Sequence, residues 1–210
     1  MTDQPITGPG AMWEARYGAP HYVFGTEPND FLRDQVQSLP AGRVLCLAEG
    51  EGRNAVFLAE AGFEVHSIDL SAAGVAKTLQ LAAERGVTVH ARVGDLAETS
   101  LGHGEWHVIV SVFAHLPPPI RRDLHQRVVS ALAPDGVLLL EAYTPDQVGR
   151  GTGGPQDPAM TMTLAGLREE LAPLEFEHGV EMVRDVVEGV GHTGVGSVVQ
   201  VLARKLGPAN

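Results

Sequence analysis

Residues 43–55, Arg-Val-Leu-Cys-Leu-Ala-Glu-Gly-Glu-Gly-Arg-Asn-Ala, constrain the fold more than any other stretch of the chain. The apolar run at 44–48 is typical of a strand that is buried on both faces of a parallel sheet. Gly50 and Gly52 allow a tight turn, and their missing side chains let a ligand approach the backbone where a helix begins. The segment therefore predicts a strand, a turn and a helix.

The glycine spacing by itself leaves the ligand open. Gly50-x-Gly52-x-x-Ala55 fits a loose form of the dinucleotide fingerprint, so a nicotinamide cofactor and another nucleotide-like cofactor are both compatible with it. A glycine turn that joins strand and helix without any ligand is the third interpretation.

The composition favours a small-molecule partner. The 210 residues include 26 acidic and 15 basic side chains, for a net charge of −11, and a nucleic-acid binder needs a basic face instead. The chain has no apolar run long enough for a membrane and no signal peptide at its polar start, and the single Cys46 excludes an internal disulfide. We expect a cytoplasmic protein, monomeric or homodimeric, without nucleic-acid or membrane partners.

The chain is predicted to form one domain, residues 1–210, in three parts. Residues 1–11 are expected to be a mobile lead-in, residues 12–39 an N-terminal cap segment, and residues 40–210 a Rossmann-like core. The cap segment concentrates the aromatic residues Trp13, Tyr17, Tyr22 and Phe24 beside turn chemistry at 25–30 and a predicted helix at 28–39. This segment is either an aromatic flap that closes over a ligand or a helix that covers a sheet edge.

Two aspartates follow the next two predicted strands. The strand 63–68 stops at Asp69, roughly 20 residues after the glycines, where a carboxylate can accept both ribose hydroxyls of an adenosine. Ser71 is the better-placed cap for the helix 72–85, which leaves Asp69 free. Asp95 follows the strand 87–93, and the alternative for it is a loop aspartate that binds its own backbone.

The remaining pattern completes an α/β protein with a terminal hairpin. The predicted elements are a strand at 106–113, a helix at 120–132, a strand at 137–142, a helix from Thr163 to 171, and antiparallel strands at 175–188 and 195–203. The charged residues of the helix at 120–132, Arg121, Arg122, Asp123 and Arg127, are interpreted as a solvated face. Residues 149–158 are either a disordered insert or a substrate lid. His103 and His107 have the spacing of a helical metal site, but Gly102 and Gly104 break the helix, so no metal is predicted.

The chain resembles the class I S-adenosylmethionine-dependent methyltransferases. The likeness rests on Val-Leu-Cys-Leu-Ala-Glu-Gly-Glu-Gly-Arg-Asn, Val-His-Ser-Ile-Asp-Leu-Ser, Gly-Asp-Leu at 94–96 and Ser-Val-Phe-Ala-His-Leu-Pro. Trp-Glu-Ala-Arg-Tyr, Phe-Gly-Thr-Glu-Pro-Asn-Asp-Phe-Leu and Glu-Gly-Val-Gly-His-Thr-Gly are similar to motifs of the tellurite-resistance and thiopurine methyltransferase-like branch. The resemblance implies a seven-stranded sheet of order 3-2-1-4-5-7-6, mostly parallel, with a C-terminal antiparallel hairpin.

The resemblance also implies a set of residues around S-adenosylmethionine. Gly50, Gly52 and Asn54 would lie at its methionine part, and Asp69 and Leu70 would lie at the ribose. Asp95 and Leu96 would border the adenine. Val112 and Phe113 would lie below the cofactor, and Phe24 and Gly25 would lie above it. The common pattern has an acid where this chain has Cys46. Glu49 is therefore expected to meet the ammonium group of the cofactor.

The acceptor side of the site is predicted from the late segment and two strand ends. His192 is the candidate catalytic residue, since an imidazole can take a proton from an incoming nucleophile near neutral pH. The alternative is a histidine in a solvated hairpin loop. His115, Tyr143 and Arg184 are the candidate substrate-binding residues. The predicted reaction is methyl transfer to a small molecule, such as a thiol or a selenium or tellurium oxyanion; an NAD(P)-dependent oxidoreductase and a non-catalytic S-adenosylmethionine-binding protein remain the alternatives.

Overall fold

The structure is a computed structural model that describes residues 8–207. Within that range the α-helices are α1 (Pro9–Tyr17), α2 (Asp30–Gln35), α3 (Arg53–Glu60), α4 (Ala72–Arg85), α5 (Pro118–Ala131) and α6 (Leu164–Glu170). The strands are β1 (Arg43–Leu47), β2 (Glu64–Asp69), β3 (Val89–Val93), β4 (Trp106–Val112), β5 (Leu132–Tyr143), β6 (Glu175–Glu188) and β7 (His192–Arg204). Short 3₁₀ turns lie at Val36–Ser38, Pro145–Gln147 and Pro158–Met160.

The strands form one seven-stranded sheet in the order β3-β2-β1-β4-β5-β7-β6. β1 to β5 run parallel, and β7 is antiparallel to both β5 and β6. The predicted sheet order and the predicted C-terminal hairpin are therefore confirmed.

Side chains alternate across the two faces of β1 and divide the core. Val44 and Cys46 belong to a cluster that includes residues of α2, α3 and α4, while Leu45 and Leu47 belong to a cluster that includes residues of α5 and α6. Helices thus cover both faces, which explains why the run at 44–48 is apolar throughout. The thiol of Cys46 is buried and free, as expected of a small apolar side chain in this position.

Local signals place several helix ends correctly. Ser71 Oγ accepts a hydrogen bond from Gly74 N at 3.1 Å and caps α4, and Gly86 follows α4 with a φ of 71°. Thr163 caps α6 in the same way through Gly166 N. These capping interactions involve residues three positions apart, so the sequence contains all of the information they need.

The structure corrects four local predictions. α1 takes in residues 9–11 of the predicted lead-in, whereas residues 1–7 lie outside the described range. The helix predicted at 28–39 is the short α2 followed by a 3₁₀ turn. β5 begins directly after α5, although Asp135 within it has a φ of 62° and the pairing with β4 shifts there. β7 begins at residue 192, because its pairing with β6 continues to the last residue of that strand.

The charged face predicted on α5 is only partly solvated. Arg121 is 8% exposed, and its guanidinium lies 2.8 Å from a carboxylate oxygen of Glu170. It also donates to the carbonyl oxygen of Thr161 at 3.2 Å. Arg121 therefore joins α5 to α6 instead of facing water.

The described helices contain none that would cross a bilayer: each is too short or too polar for that role.

Candidate active site

The glycine turn lies at the carboxyl end of β1, in the middle of the sheet edge. Ala48, Gly50 and Gly52 have φ values of 48°, 69° and 98°, so the chain turns through left-handed conformations before α3 begins. β1 is the strand at which the sheet order reverses, since β2 lies on one side of it and β4 on the other. Open α/β sheets bind their ligands at such a point.

Asp69 ends β2 directly beside this turn. Its Oδ2 accepts a hydrogen bond from Gly50 N at 2.7 Å, and its Oδ1 accepts one from Ser71 N at 2.8 Å. Burial raises the pKa of Asp69, although the backbone donors at Ser71 and Gly50 oppose the shift. Each oxygen has room for a further donor, because an ionised carboxylate offers about four lone-pair sites. Asp69 is thus a buried acceptor at the predicted place.

Glu49 lies on the opposite side of the turn and caps α3. Its Oε1 accepts hydrogen bonds from Asn54 N at 2.9 Å and Ala55 N at 2.8 Å. Burial raises the pKa of Glu49 to about 7. The carboxyl group therefore exchanges its proton near neutral pH and changes charge within the turn.

The two glycines of the turn have different neighbours. A Cβ on Gly50 would lie 2.7 Å from the Tyr17 hydroxyl oxygen, and a Cβ on Gly52 would lie 2.7 Å from the Thr78 Cα atom. Gly52 is needed for the close approach of α4, and Gly50 for that of the phenol ring from α1. The predicted contact of both glycines with a cofactor remains a prediction.

Two carboxylates that the sequence reasoning missed attach the N-terminal segment to this edge. Glu14 Oε2 accepts hydrogen bonds from Ser71 Oγ at 2.6 Å and from Ala73 N at 3.2 Å. Glu51 is buried, and its Oε2 accepts one from Val23 N at 2.7 Å. The position of Glu51 between the two glycines of the turn is the signal that could have identified it.

The aromatic residues of the N-terminal segment lie over the turn. Tyr17 stacks on Trp13 at 5.3 Å between ring centroids, and Phe24 is 6.3 Å from each of them. Gly25 contacts the β6–β7 turn, where Gly191 N donates to Val23 O at 3.1 Å. The segment therefore joins the glycine turn after β1 to the β6–β7 turn.

His192 lies among aromatic rings and is mostly buried, with 12% of its side chain exposed. Its ring centroid is 4.5 Å from Phe24, 4.8 Å from Phe113 and 5.4 Å from Tyr143. The alternative of a histidine in a solvated hairpin loop is wrong, because His192 is the first residue of β7 and pairs with Glu188. Burial lowers the pKa of His192, so the imidazole is neutral.

Glu188 is the centre of a buried charge cluster that the sequence reasoning missed. Its carboxylate accepts hydrogen bonds from Arg53 Nη2 at 2.6 Å and Asn29 Nδ2 at 2.8 Å, and lies 3.8 Å from His192 Nδ1. Burial alone would raise the pKa of Glu188, but the contacts with His192 and Arg53 outweigh it and lower the pKa to about 2. Glu188 is therefore ionised at neutral pH.

Arg184 is engaged with carboxylates in this structure. Its guanidinium donates to Glu141 and lies 3.3 Å from Glu188 and 3.3 Å from Asp30. Glu141 is fully buried and also accepts from Gln200 Nε2 at 2.8 Å. Two polar residues inside apolar strand sequences could have indicated this cluster. They are Glu141 in β5 and Gln200 in β7.

His115 and Tyr143 lie together at the ends of β4 and β5. His115 Nδ1 donates to Met160 O at 3.0 Å, and its Nε2 accepts from Tyr143 N at 3.3 Å. Burial lowers the pKa of His115 to about 4, so this ring is neutral. Tyr143 stacks on Phe113 at 4.5 Å and is completely buried.

The other predicted cofactor residues differ in exposure. Leu70 is 38% exposed, whereas Leu96 and Val112 are buried. Asp95 is exposed, and its Oδ1 accepts a hydrogen bond from Ala97 N at 2.8 Å, which is the local loop interaction named as its alternative. Asn54 is buried, and its Oδ1 accepts from Asn29 N at 2.9 Å.

The loop at 149–158 is held against the site by Gln147. The Nε2 of this buried amide donates to Thr152 Oγ1 at 2.9 Å and to Gly153 O at 3.0 Å. Its Oε1 accepts from Ser197 N at 2.9 Å. The loop thus has fixed partners on β7.

Comparisons with known proteins agree with this architecture. Residues 44–136 match a protein family described as a methyltransferase domain. The chain is 33% identical over 124 residues to a glycine/sarcosine N-methyltransferase from Halorhodospira halochloris, an alignment that covers 57% of this chain and 46% of that protein. The chain therefore spans less than half the length of that relative.

Solved structures show the same fold. One, from work on the conversion of a disulfide bond into a thioacetal group during echinomycin biosynthesis, has a TM-score of 0.76 at 17% identity and covers 95% of this chain and 92% of its own. An S-adenosylmethionine-dependent methyltransferase from Methanosarcina mazei has a TM-score of 0.66 at 17% identity, with coverages of 86% and 99%. These likenesses show the fold, and the methyltransferase-domain match covers residues 44–136 of the chain.

Proposed function

We propose that this protein transfers a methyl group from S-adenosylmethionine to a small-molecule acceptor. The observation that carries the proposal is the buried Asp69 beside Gly50, at the reversal point of the sheet and within the segment that matches a methyltransferase domain. Gly50 N and Ser71 N use one lone pair on each oxygen of this carboxylate, and ribose hydroxyls would donate to the remaining ones.

The residues present fit this cofactor. Asp69 has unused lone pairs for the ribose, and the second carboxylate oxygen of Glu49 is available to the ammonium group. Leu70 would lie at the ribose, and Asp95 and Leu96 would border the adenine. Phe24 and Gly25 would cover the cofactor opposite Val112 and Phe113. When bound, the cofactor supplies an activated methyl group on a sulfonium.

Positioning carries most of the proposed chemistry. Holding two reactants in line lowers the activation barrier by on the order of 7 to 11 kcal/mol. One general base accelerates a reaction by about 10²- to 10⁴-fold, which corresponds to a smaller decrease of that barrier. The neutral His192 would take a proton from the nucleophilic atom of the acceptor as the new bond to carbon forms. The ionised Glu188, 3.8 Å from Nδ1, would stabilise the resulting imidazolium.

The proposal extends to the acceptor and the setting of the enzyme. The motifs quoted above support membership of the tellurite-resistance and thiopurine methyltransferase-like branch, with a thiol or a selenium or tellurium oxyanion as the methyl acceptor. The name of the Halorhodospira halochloris relative adds amino-acid amines to the acceptors worth testing. We propose a cytoplasmic monomer or homodimer without nucleic-acid or membrane partners.

Titration calorimetry tests the cofactor. Binding of S-adenosylmethionine or S-adenosylhomocysteine without binding of NAD(H) supports the proposal, and the reverse result would replace it with an oxidoreductase. Release of S-adenosylhomocysteine with a panel of thiols, amines and selenium or tellurium oxyanions then separates an enzyme from a non-catalytic cofactor-binding protein.

Cofactor affinity is expected to fall as the pH is lowered from about 8 to about 6, because the Glu49 pKa of about 7 lies inside this range. Above the pKa the carboxylate is charged and attracts the ammonium group; below it the carboxyl group is neutral. Binding should therefore release protons, which calorimetry in buffers of different ionisation enthalpy measures. The Glu49→Gln variant should bind weakly and without this pH dependence. A flat pH profile of the parent would exclude Glu49 from the ammonium site.

His192→Ala is expected to lower turnover at least about tenfold while cofactor affinity stays nearly unchanged, because one positioned proton acceptor is lost. Single-turnover kinetics with the best acceptor and calorimetry with S-adenosylhomocysteine measure the two effects. His103→Ala, at an exposed histidine, is the control and should behave like the parent. Unchanged turnover of the His192 variant would leave catalysis to positioning alone.

A further inference from the structure

Three buried polar atoms around Glu188 lack hydrogen-bond partners. They are Arg53 Nη1, Tyr143 Oη and His192 Nδ1. Arg53 is 7% exposed and Tyr143 is fully buried. Burying such an atom without a partner costs free energy, and native proteins usually supply a partner. A ligand is the partner that a binding site would provide.

The three atoms are held in one place by separate parts of the chain. Arg53 begins α3, and its Nη2 lies 2.6 Å from Glu188 Oε2. The same oxygen lies 3.8 Å from His192 Nδ1 at the start of β7. The ring of Tyr143, which ends β5, is 5.4 Å from that imidazole. The arrangement is anchored by the sheet and a helix, so the donors are fixed before a ligand arrives.

The chemistry of the three groups favours an anionic oxygen. Tyr143 Oη can donate one hydrogen bond and Arg53 Nη1 can donate two, and the guanidinium carries a positive charge. Burial lowers the pKa of His192, and the positive charges of Arg53 and Arg16 lower it further although Glu188 opposes them. A neutral imidazole next to one charged and one neutral donor is suited to a proton transfer beside an anion.

Glycines bring the covering segments into contact with these groups. A Cβ on Gly153 would lie 2.6 Å from His192 Cδ2, one on Gly154 2.6 Å from Tyr143 Cδ2, and one on Gly191 2.4 Å from Phe24 Cε1. The loop at 149–158 and the β6–β7 turn therefore pack directly on His192, Tyr143 and Phe24, and the loop has to move for a ligand to enter.

We propose that Arg53 Nη1 and Tyr143 Oη bind the carboxylate of a small, carboxylate-bearing methyl acceptor and hold its nucleophilic atom beside His192. This inference rests on the proposed function, because it assigns the acceptor side of the same site. It gives Arg53 and Tyr143 the role of acceptor-binding residues and leaves proton transfer to the imidazole.

The test compares 3-mercaptopropionate with its neutral amide, 3-mercaptopropionamide. Calorimetry measures the binding of each to the full chain, with and without saturating S-adenosylhomocysteine. We expect the parent to bind the carboxylate at least about tenfold more tightly, the size expected when a charged hydrogen-bond pair is lost. Equal binding of the two compounds would overturn the proposal.

Two variants identify the groups responsible. Tyr143→Phe removes only the unpartnered hydroxyl, so its thermal stability should equal or exceed that of the parent while the preference for the carboxylate falls at least about fivefold. Arg53→Lys keeps a positive charge for Glu188 but removes Nη1, and the preference should fall similarly. Tyr22→Phe makes the same chemical change outside the site and should leave the preference intact. Loss of stability in Tyr143→Phe with an unchanged preference would overturn the proposal, since the hydroxyl would then be structural.

Other outcomes separate this inference from the proposed function. If S-adenosylhomocysteine does not bind, the proposed function fails, whereas carboxylate binding that depends on Arg53 and Tyr143 still supports the anion site. If selenite binds with that dependence and 3-mercaptopropionate does not, the carboxylate class is overturned in favour of an inorganic oxyanion.

Discussion

Asp69→Ala is expected to weaken cofactor binding by roughly 2 to 4 kcal/mol, or about 30- to 1,000-fold in Kd, because two ribose hydroxyls lose a charged acceptor in a closed site. Asp69 is 6% exposed, and its carboxylate already binds the backbone after β1, through Gly50 N, and after β2, through Ser71 N. The hydroxyls would therefore add to a preformed acceptor. Calorimetry with S-adenosylhomocysteine measures the loss.

The same substitution should also lower the free energy of unfolding by about 1 to 3 kcal/mol, since the two backbone donors are left without an acceptor. Chemical denaturation shows whether the variant remains folded during the binding experiment. Asp69→Asn keeps one acceptor oxygen and should have an intermediate affinity. Asp123→Ala, an exposed acid on α5, is the control and should bind like the parent. If the Asp69→Ala variant is folded and binds the cofactor with parental affinity, Asp69 is only a loop acid and does not bind the ribose.

Arg184→Ala should lower the free energy of unfolding by about 3 to 5 kcal/mol, the cost of leaving a buried charge unpaired. Glu141 is completely buried, and the guanidinium of Arg184, with 11% of its side chain exposed, is its charged partner. Burial raises the pKa of Glu141, and Arg184 opposes that shift. Without Arg184 the carboxyl group must become neutral or remain charged in an apolar environment. Equilibrium denaturation at neutral pH gives the difference.

Two further variants make the Arg184 result specific. Arg33→Ala breaks an exposed ion pair with Asp30 of 2.6 Å and should cost less than about 1 kcal/mol, because water already solvates both groups. Glu141→Gln combined with Arg184→Met removes both charges and should be more stable than Arg184→Ala alone. A cost below about 1 kcal/mol for Arg184→Ala would show that the buried cluster does not depend on this arginine.

Local patterns were sufficient for the elements that position the cofactor side of the site. The apolar run of β1, the glycine turn and the cap at Ser71 each depend on neighbours within a few residues, and the structure places all three as predicted. Asp69 could be predicted for the same reason, since a residue that ends a parallel strand lies at the ligand edge whatever the rest of the chain does. The sheet order came from the resemblance, which includes the hairpin.

The pairing of the buried charges was decided by tertiary structure. Arg53 and Glu188 are 135 positions apart in the sequence, and neither has a local feature that indicates an ion pair. Arg121 has the spacing of a solvated helix face, yet Glu170 and the carbonyl of Thr161 bury it. Arg184 was predicted to bind a substrate, which stays a prediction, and the sequence did not indicate that its guanidinium donates to Glu141.

The sequence by itself therefore determined the strands, the caps and the buried acid at the end of β2, because short-range periodicity and capping control these features. Only the tertiary structure decided which charges are paired and which donors, such as the hydroxyl of Tyr143, remain unpartnered. The physical reason is that the free energy of a buried polar group depends on the partner it finds, and that partner comes from a distant part of the chain.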